Sequence, residues 1–348
     1  MSIDLSKKLK NDPITASAPC RIDLGGTLDI KTIYLPLRHL SPCTFNIALD
    51  MRTSVTLRSY KAGKIKVSSR GFEDTILPVE AIGFDHPLGL IFGIAAYFNV
   101  SGVHIAIQSA SPPRSALGGS SVAAVALVAA LSRATGQADL FSRTAMACTA
   151  HGIEEGLAGI PCGIQDQLAA AYGGMNAWFW QPTPENPLAF ERKDLLSGGA
   201  PLALEDHFLV AYCGVPHASA DINGRWIKHF LAGHDPKLWH DIVACAGAFV
   251  DALAASDLEQ AQNLMNREVT LRKRMTPDVF NDMGESLVDC AVNTNCSARF
   301  TGAGGGGCIW ALGQPDDIAA LKKKWQAILE TDPDACLLET GMDRNGVQ

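Results

Sequence analysis

The chain has 348 residues, 47% hydrophobic and 19% charged, with a formal net charge of −7. That is enough ordinary globular sequence for two domains with cores of their own. The acidic balance argues against nucleic acid or an anionic membrane surface as the main partner, since both demand a basic face. A nucleotide is still admissible, because a local nest of N–H groups and a metal ion can hold one. Ten cysteines are scattered without a C-x-x-C pair, which argues against structural zinc. The leading segment MSIDLSKKLKNDP has no apolar signal core, and no apolar run reaches membrane-spanning length. The expected setting is a reducing cytoplasm with free thiols and no membrane contact.

In chain order, Ser17 to Asp29 reads as a short strand ending in a glycine turn at Gly25-Gly26. Alternation puts Arg21 and Asp23 on one face, against Ile22 and Leu24. Both a surface salt bridge and a working pair fit that pattern. Residues 43–58 and 64–69 are strands rich in Thr, Val and Ile, and 86–99 is a helix interrupted by glycine.

The strand expected at 103–109 leads into SPPRSALGGSSVAAVALVAAL, residues 111–131. Pro112-Pro113 closes the extended segment. Gly118 and Gly119 admit backbone angles that a Cβ would forbid. Ser120 and Ser121 stand at the expected N-cap, before ten apolar residues from Val122 to Leu131, so a helix is expected over 120–135. Such a helix start offers free N–H groups and partial positive charge to an anion such as phosphate. It is neither a Walker A loop nor a Rossmann fingerprint. Alone, it also fits a plain strand–turn–helix connection.

A second helix is expected over 138–158, ending with Glu154 and Glu155. A short helix follows from Ile164 and closes on Gly173-Gly174. Asp166 lies near its start between Gln165 and Gln167, a place explained by the helix dipole or by chemistry. Strands are expected at 175–180 and 188–192, and Gly-Gly-Ala-Pro at 198–201 is the linker, giving domains 1–197 and 201–348. The second half reads as a strand at 206–213, helices at 221–232, 236–254, 257–274 and 276–294, strands at 298–301 and 308–313, a helix at 315–330 and a strand at 335–340. Five glycines among the six residues 302–307 carry a large folding entropy cost. Close approach of that backbone to a ligand or to another backbone would explain them.

Three features in order, Ala18-Pro19-Cys20-Arg21, PPRSALGGSS at 112–121 and TGAGGGGC at 301–308, resemble the GHMP kinase superfamily of galactokinase, homoserine kinase, mevalonate kinase and phosphomevalonate kinase. Gly163-Ile164-Gln165-Asp166-Gln167, followed by a glycine pair, is most similar to the heptose-phosphate and fucose kinase branch. The resemblance implies an α+β, two-domain fold with the active site in the interdomain cleft. It implies ATP and Mg²⁺, and transfer of the γ-phosphoryl group to a hydroxyl of a sugar or sugar phosphate. Under it, Pro113, Arg114, Ser115, Ala116, Leu117, Gly118, Gly119, Ser120 and Ser121 form the phosphate loop. Ser120 and Glu154 hold Mg²⁺, with Glu155 as the alternative acid. Asp166 is base or orienting residue, with Arg21 beside it. Asp29, Asp166, Gly304, Gly305 and His217 face the acceptor. The assembly is a monomer or homodimer.

The parts suit the chemistry, because phosphoryl transfer depends mostly on positioning and charge neutralisation. A hydroxyl and a carboxylate are hard oxygen ligands for Mg²⁺, and a neighbouring Arg keeps Asp166 ionised. Departures from the family pattern are Ala116 for a glycine, Gly119 for a hydroxyl residue, Arg114 where glycine is common, and a shifted Asp29. Two other readings stay open: a kinase of a non-sugar alcohol, mevalonate-like or homoserine-like, and a nucleotide-binding regulator of this fold without catalysis.

Overall fold

A computed structural model describes residues 2–159, 161–186, 190–197, 204–216 and 219–348, without the side chains of 219–221. The linker expected at 198–201 lies outside the described residues apart from its role as a boundary in the sequence. The first half is built on a seven-stranded sheet of β2 (Ile14–Leu24), β3 (Cys43–Ser59), β4 (Lys64–Ser69), β5 (Thr75–Pro78), β7 (Val103–Ser109), β8 (Met175–Trp180) and β9 (Phe190–Asp194). A two-residue strand β1 (Ile3–Asp4) pairs with β6 (Val100–Ser101) beside it. The 17-residue β3 is the spine: β2 runs antiparallel along most of it, while β7 and β8 pair with its two ends.

The register of β2 on β3 shifts between Pro19 and Cys20, where proline interrupts the ladder. Beyond that shift, Arg21 and Asp23 are buried rather than displayed on a surface. Helices α1 (Lys31–Leu37), α2 (Gly89–Tyr97), α3 (Gly119–Ala134), α4 (Arg143–Ala158) and α5 (Gln165–Tyr172) belong to this half. The apolar run expected to be a buried helix is one: α3 packs on β2, β3, α4 and α5. Uniform apolarity is what a helix surrounded on all sides requires.

The second half holds a four-stranded sheet in the order β11 (Ser297–Phe300), β12 (Cys308–Leu312), β10 (Phe208–Cys213), β13 (Ala335–Leu338). Its helices are α6 (Ser219–Leu231), α7 (Pro236–Ala254), α8 (Leu258–Met275), α9 (Asp282–Val292) and α10 (Pro315–Leu329). The helix expected over 276–294 starts later because Asn281 is its N-cap, accepting from the Gly284 N–H at 2.9 Å.

The C-terminal residues return to the first half. Met342 bridges to Leu49, and Gln348 exchanges backbone hydrogen bonds of 3.0 and 2.9 Å with Ser17. Arg52 forms an ion pair with Asp343. Among the described residues no helix is long and apolar enough to cross a membrane.

Candidate active site

The loop before α3 departs from its expected cap. Gly118, at φ +80°, is the N-cap, and the helix begins at Gly119, so Ser120 and Ser121 lie inside its first turn. Their hydroxyls turn to α4 instead of to the helix backbone. Ser120 Oγ donates to Glu154 Oε1 at 2.6 Å, and Ser121 Oγ to Glu154 Oε2 at 2.8 Å. Gln167 Nε2 adds a third bond to Glu154 Oε2 at 2.6 Å. Burial nevertheless pushes the Glu154 carboxyl above the usual carboxylate range, against these bonds. Glu155 points elsewhere, to Lys31 Nζ at 2.5 Å. The two neighbouring acids are thereby told apart: Glu154 meets Ser120, and Glu155 is held by a lysine.

The departures in the loop sequence do not relax its shape. Arg114 has φ +53° and Ala116 φ +62°, the left-handed conformation that glycine adopts freely. Ala116 is held there from two sides. Its carbonyl accepts from Arg21 Nη1 at 2.6 Å, and a Cβ added to Gly307 would lie 2.7 Å from its methyl. Close approach of backbone to backbone therefore explains Gly307.

Arg21 is the hinge between the loop and α5. It is 3% exposed, and its Nε donates to Asp166 Oδ1 at 2.7 Å. Burial alone would lower the affinity of the guanidinium for its proton. The carboxylates of Asp166 and Asp23 outweigh that and hold it above its ordinary range. Asp166 lies in the first turn of α5, against the Cα of Gly118, where an added Cβ would meet Asp166 Oδ2 at 3.1 Å. The 112–118 loop, Arg21 and Asp166 are thus in direct contact.

Asp29 reaches the same place. Its Oδ2 accepts the Gln165 N–H at 3.0 Å, and its carboxylate sits where a Cβ on Gly163 would lie, 1.7 Å from Oδ2. Burial raises its pKa to about 7, opposed by that hydrogen bond and reinforced by Asp166 and Asp23. Gly302 donates its N–H to Asp23 Oδ1 at 2.6 Å. A Cβ added to Gly304 would meet Val279 and one added to Gly305 would meet Ile222, and neither glycine lines the cleft that holds Asp166. His217 lies outside the described residues.

Arg21, Ser120, Glu154, Asp166 and Asp29 line one cleft of about 670 Å³ between the halves. Asp29, Gln165 and Asp166 lie along it with the 112–121 segment, and Asn223, Gly302 and Ala303 come from the second half. Its other reach is lined by Phe72, Leu88, Ile91 and Ile107, an apolar slot beyond the loop. No motif marked those four residues; the helix read over 86–99 and the strand over 103–109 place Leu88, Ile91 and Ile107 without pointing to a site.

A buried ionic network ties the second half to the Gly25–Asp29 turn. Arg272, on α8, donates to Gly26 O at 2.8 Å and to Thr27 Oγ1 at 3.2 Å. Glu268 accepts from Arg272 Nε and Arg299 Nε, each at 2.8 Å. Arg299 in turn lies 3.6 Å from Asp23 Oδ2. All four side chains are fully buried. Their separation in the chain, from 23 to 299, hid the network from sequence reading.

Two packed α/β halves thus enclose a cleft in which a loop–helix start lies in contact with a buried arginine and a half-buried aspartate. The family comparisons give the class. Residues 89–174 match the GHMP kinases N terminal domain and residues 249–331 the GHMP kinases C terminal domain. The chain carries the N- and C-terminal domains of the GHMP kinases, a phosphotransferase family, and has their two-domain α+β fold. It is 24% identical over 337 residues to the mevalonate kinase of Pyrococcus horikoshii, covering 89% of this chain and 92% of that protein. In fold it is similar to Lactococcus lactis galactokinase complexed with galactose, with a TM-score of 0.74, 17% identity, and coverage of 99% of this chain and 98% of that one. It is also similar to a D-glycero-D-manno-heptose 1-phosphate kinase from Bacteroides thetaiotaomicron, with a TM-score of 0.71, 16% identity, and coverage of 96% and 98%.

Proposed function

We propose that this protein transfers the γ-phosphoryl group of ATP to a hydroxyl of a sugar or sugar phosphate, in the cleft between residues 1–197 and 201–348. The observation that carries the reading is the contact chain Ala116–Arg21–Asp166–Gly118, which sets a carboxylate against the phosphate loop. Free N–H groups at the start of α3 suit phosphate, and the slot of Phe72, Leu88, Ile91 and Ile107 suits a nucleobase.

Ser120 Oγ and Glu154 Oε1, 2.6 Å apart, are hard oxygen donors of the kind that would hold Mg²⁺. When bound, the ion neutralises charge on the phosphates. Asp166 Oδ2 accepts the acceptor hydroxyl's hydrogen and orients its oxygen; as the bond forms, the proton passes to that carboxylate. Arg21, committed through Nε to Asp166, fixes the position of that carboxylate beside the loop. Asp29 and Gln165 hold further hydroxyls of the acceptor. The galactose-bound relative supports a sugar, whereas the mevalonate kinase relative supports a non-sugar alcohol.

The test is acceptor-dependent ADP formation with Mg²⁺ across free sugars, sugar phosphates, R-mevalonate and L-homoserine. Turnover of sugars or sugar phosphates is expected. Turnover of mevalonate or homoserine alone would replace the sugar reading, and ATP binding without transfer to any acceptor would favour the regulator.

A further inference from the structure

The turn that carries Asp29 holds one residue in a conformation that its side chain disfavours. Thr27, 5% exposed, has φ +76°. Its β-branch makes that left-handed region a true outlier, and such strain persists only where the surroundings impose it. Gly25, two residues earlier, has nearly the same φ, +77°, without a Cβ to oppose it. The turn is closed by the Leu28 N–H to Gly25 O and the Ile30 N–H to Thr27 O, each at 3.1 Å. Asp29 lies between these two donors, on the wall of the same cleft as Thr27.

Arg272 of the second half supplies the restraint. Its Nη2 donates to Gly26 O and its Nη1 to Thr27 Oγ1, so one guanidinium spans the Gly26–Thr27 peptide. The guanidinium is itself fixed: Nε donates to Glu268, and Cζ lies 4.6 Å from the ring centroid of Trp226 on α6. Trp226 is anchored in turn by Nε1, which donates to Thr276 Oγ1 at 2.5 Å, just beyond α8. A contact that only joined two halves would need no strained residue. Glycine at position 27 would give the same backbone shape at no steric cost. Threonine instead offers a hydroxyl to Arg272, and the shape of the turn then depends on that arginine.

We propose that Arg272 is a positioning residue for the acceptor: it holds Thr27 left-handed and so sets the place of Asp29 against Gln165 and Gly163. This rests on the kinase reading above, in which Asp29 holds acceptor hydroxyls, and adds that α8 of the second half completes that site. Without the guanidinium, Thr27 relaxes toward negative φ. The peptide before Leu28 then turns, and Asp29 leaves the Gln165 N–H that it accepts at 3.0 Å. Among the described residues, the hydrogen bonds of Arg272 go to Glu268, Gly26 and Thr27 and not to the 112–121 segment, so ATP binding stands apart from this effect.

The experiment is a double-mutant cycle of Arg272→Lys and Thr27→Gly, read by thermal unfolding and by steady-state kinetics with ATP and Mg²⁺. The acceptor used is whichever wild type turns over fastest among D-galactose, D-mannose, L-fucose, the hexose 1-phosphates and R-mevalonate. Lysine keeps a cation against Glu268 but gives up the fork on the turn. Arg272→Lys is expected to raise acceptor KM about tenfold, with KM for ATP within about twofold of wild type. In the Thr27→Gly background the same substitution is expected to raise it less than about threefold, because glycine holds the turn without a clamp. Tm should follow the same pattern, with a larger loss from Arg272→Lys in wild type than in the Thr27→Gly background. Where Arg272→Lys fails to fold, Thr27→Val, which keeps the β-branch and removes the hydroxyl, is expected to raise acceptor KM about fivefold with KM for ATP unchanged. Equal losses in the two backgrounds overturn the proposal, as does an acceptor KM unchanged in both Arg272→Lys and Thr27→Val. A common rise in both KM values also overturns it, as general loss of structure. No turnover of any probe by wild type overturns the kinase reading and the acceptor role with it; the Tm cycle then still decides whether Arg272 restrains Thr27.

Discussion

Glu268→Gln is the perturbation that most directly probes how the two halves are joined. Glu268 is fully buried between Arg272 and Arg299. Burial works to raise its pKa, but the two guanidiniums overcome that and hold it at about 2. A carboxylate lowered in the folded state stabilises at pH values above its ordinary range near 4.5. That contribution is lost as pH falls toward 2. The depression corresponds to about 3 kcal/mol at neutral pH, and breaking a buried ion pair typically costs about 3–5 kcal/mol. The amide keeps the shape and removes the charge, leaving two buried guanidiniums undercompensated. For a chain of 348 residues the unfolding entropy is about 0.7 kcal/mol/K, so the expected loss is about 4–7 °C in Tm at pH 7. Thermal unfolding of both proteins at pH 7 and pH 3 measures it, and the difference should shrink at pH 3. A shift under 1 °C at pH 7, or an equal shift at both pH values, would refute the reasoning. Because Arg272 also holds Gly26 and Thr27, acceptor KM should rise while KM for ATP stays constant.

Three further outcomes follow from particular contacts. Gly163→Ala should leave the fold intact, since its backbone is ordinary, but a Cβ would displace the Asp29 carboxylate; steady-state kinetics should show acceptor KM raised roughly tenfold, for one lost hydrogen-bonding group, with ATP KM unchanged. Ala116→Gly should stabilise by about 0.5–1 kcal/mol, as relief of the left-handed strain exceeds the added unfolded-state entropy, and a lower denaturation midpoint would contradict it. Asp29, raised to about 7 by burial, stabilises the fold below its ordinary value of 3.8, and this is lost as pH rises through 7. Asp29→Asn should therefore flatten the pH dependence of stability between pH 4 and 8, on the order of 4 kcal/mol at most; parallel profiles for the two proteins would contradict it.

Local chemistry was legible where neighbours in sequence are neighbours in space. The strand, loop and apolar helix of 103–131 form as their pattern demands, and the ordered motifs identify the family. The N-cap was not legible, because two serines before an apolar run fit capping equally well as they fit a carboxylate on another helix. Only tertiary structure reveals that Glu154 draws both hydroxyls away from the backbone. Asp23 read as half of an alternating strand face. Its partners, Gly302 and Arg299, lie more than 270 residues away, beyond the reach of any local pattern. The positive φ of Ala116 was hidden for a different reason: alanine carries no mark of a strained backbone, and the strain is imposed by Arg21 and Gly307.

The central claim is that Asp166 orients and deprotonates the acceptor hydroxyl beside the phosphate loop. Its most direct test is steady-state kinetics of Asp166→Asn with ATP, Mg²⁺ and the best acceptor found. The expected result is a fall in kcat of about 10²–10⁴-fold, with KM for ATP within threefold of wild type. Undiminished kcat in the variant would contradict the claim.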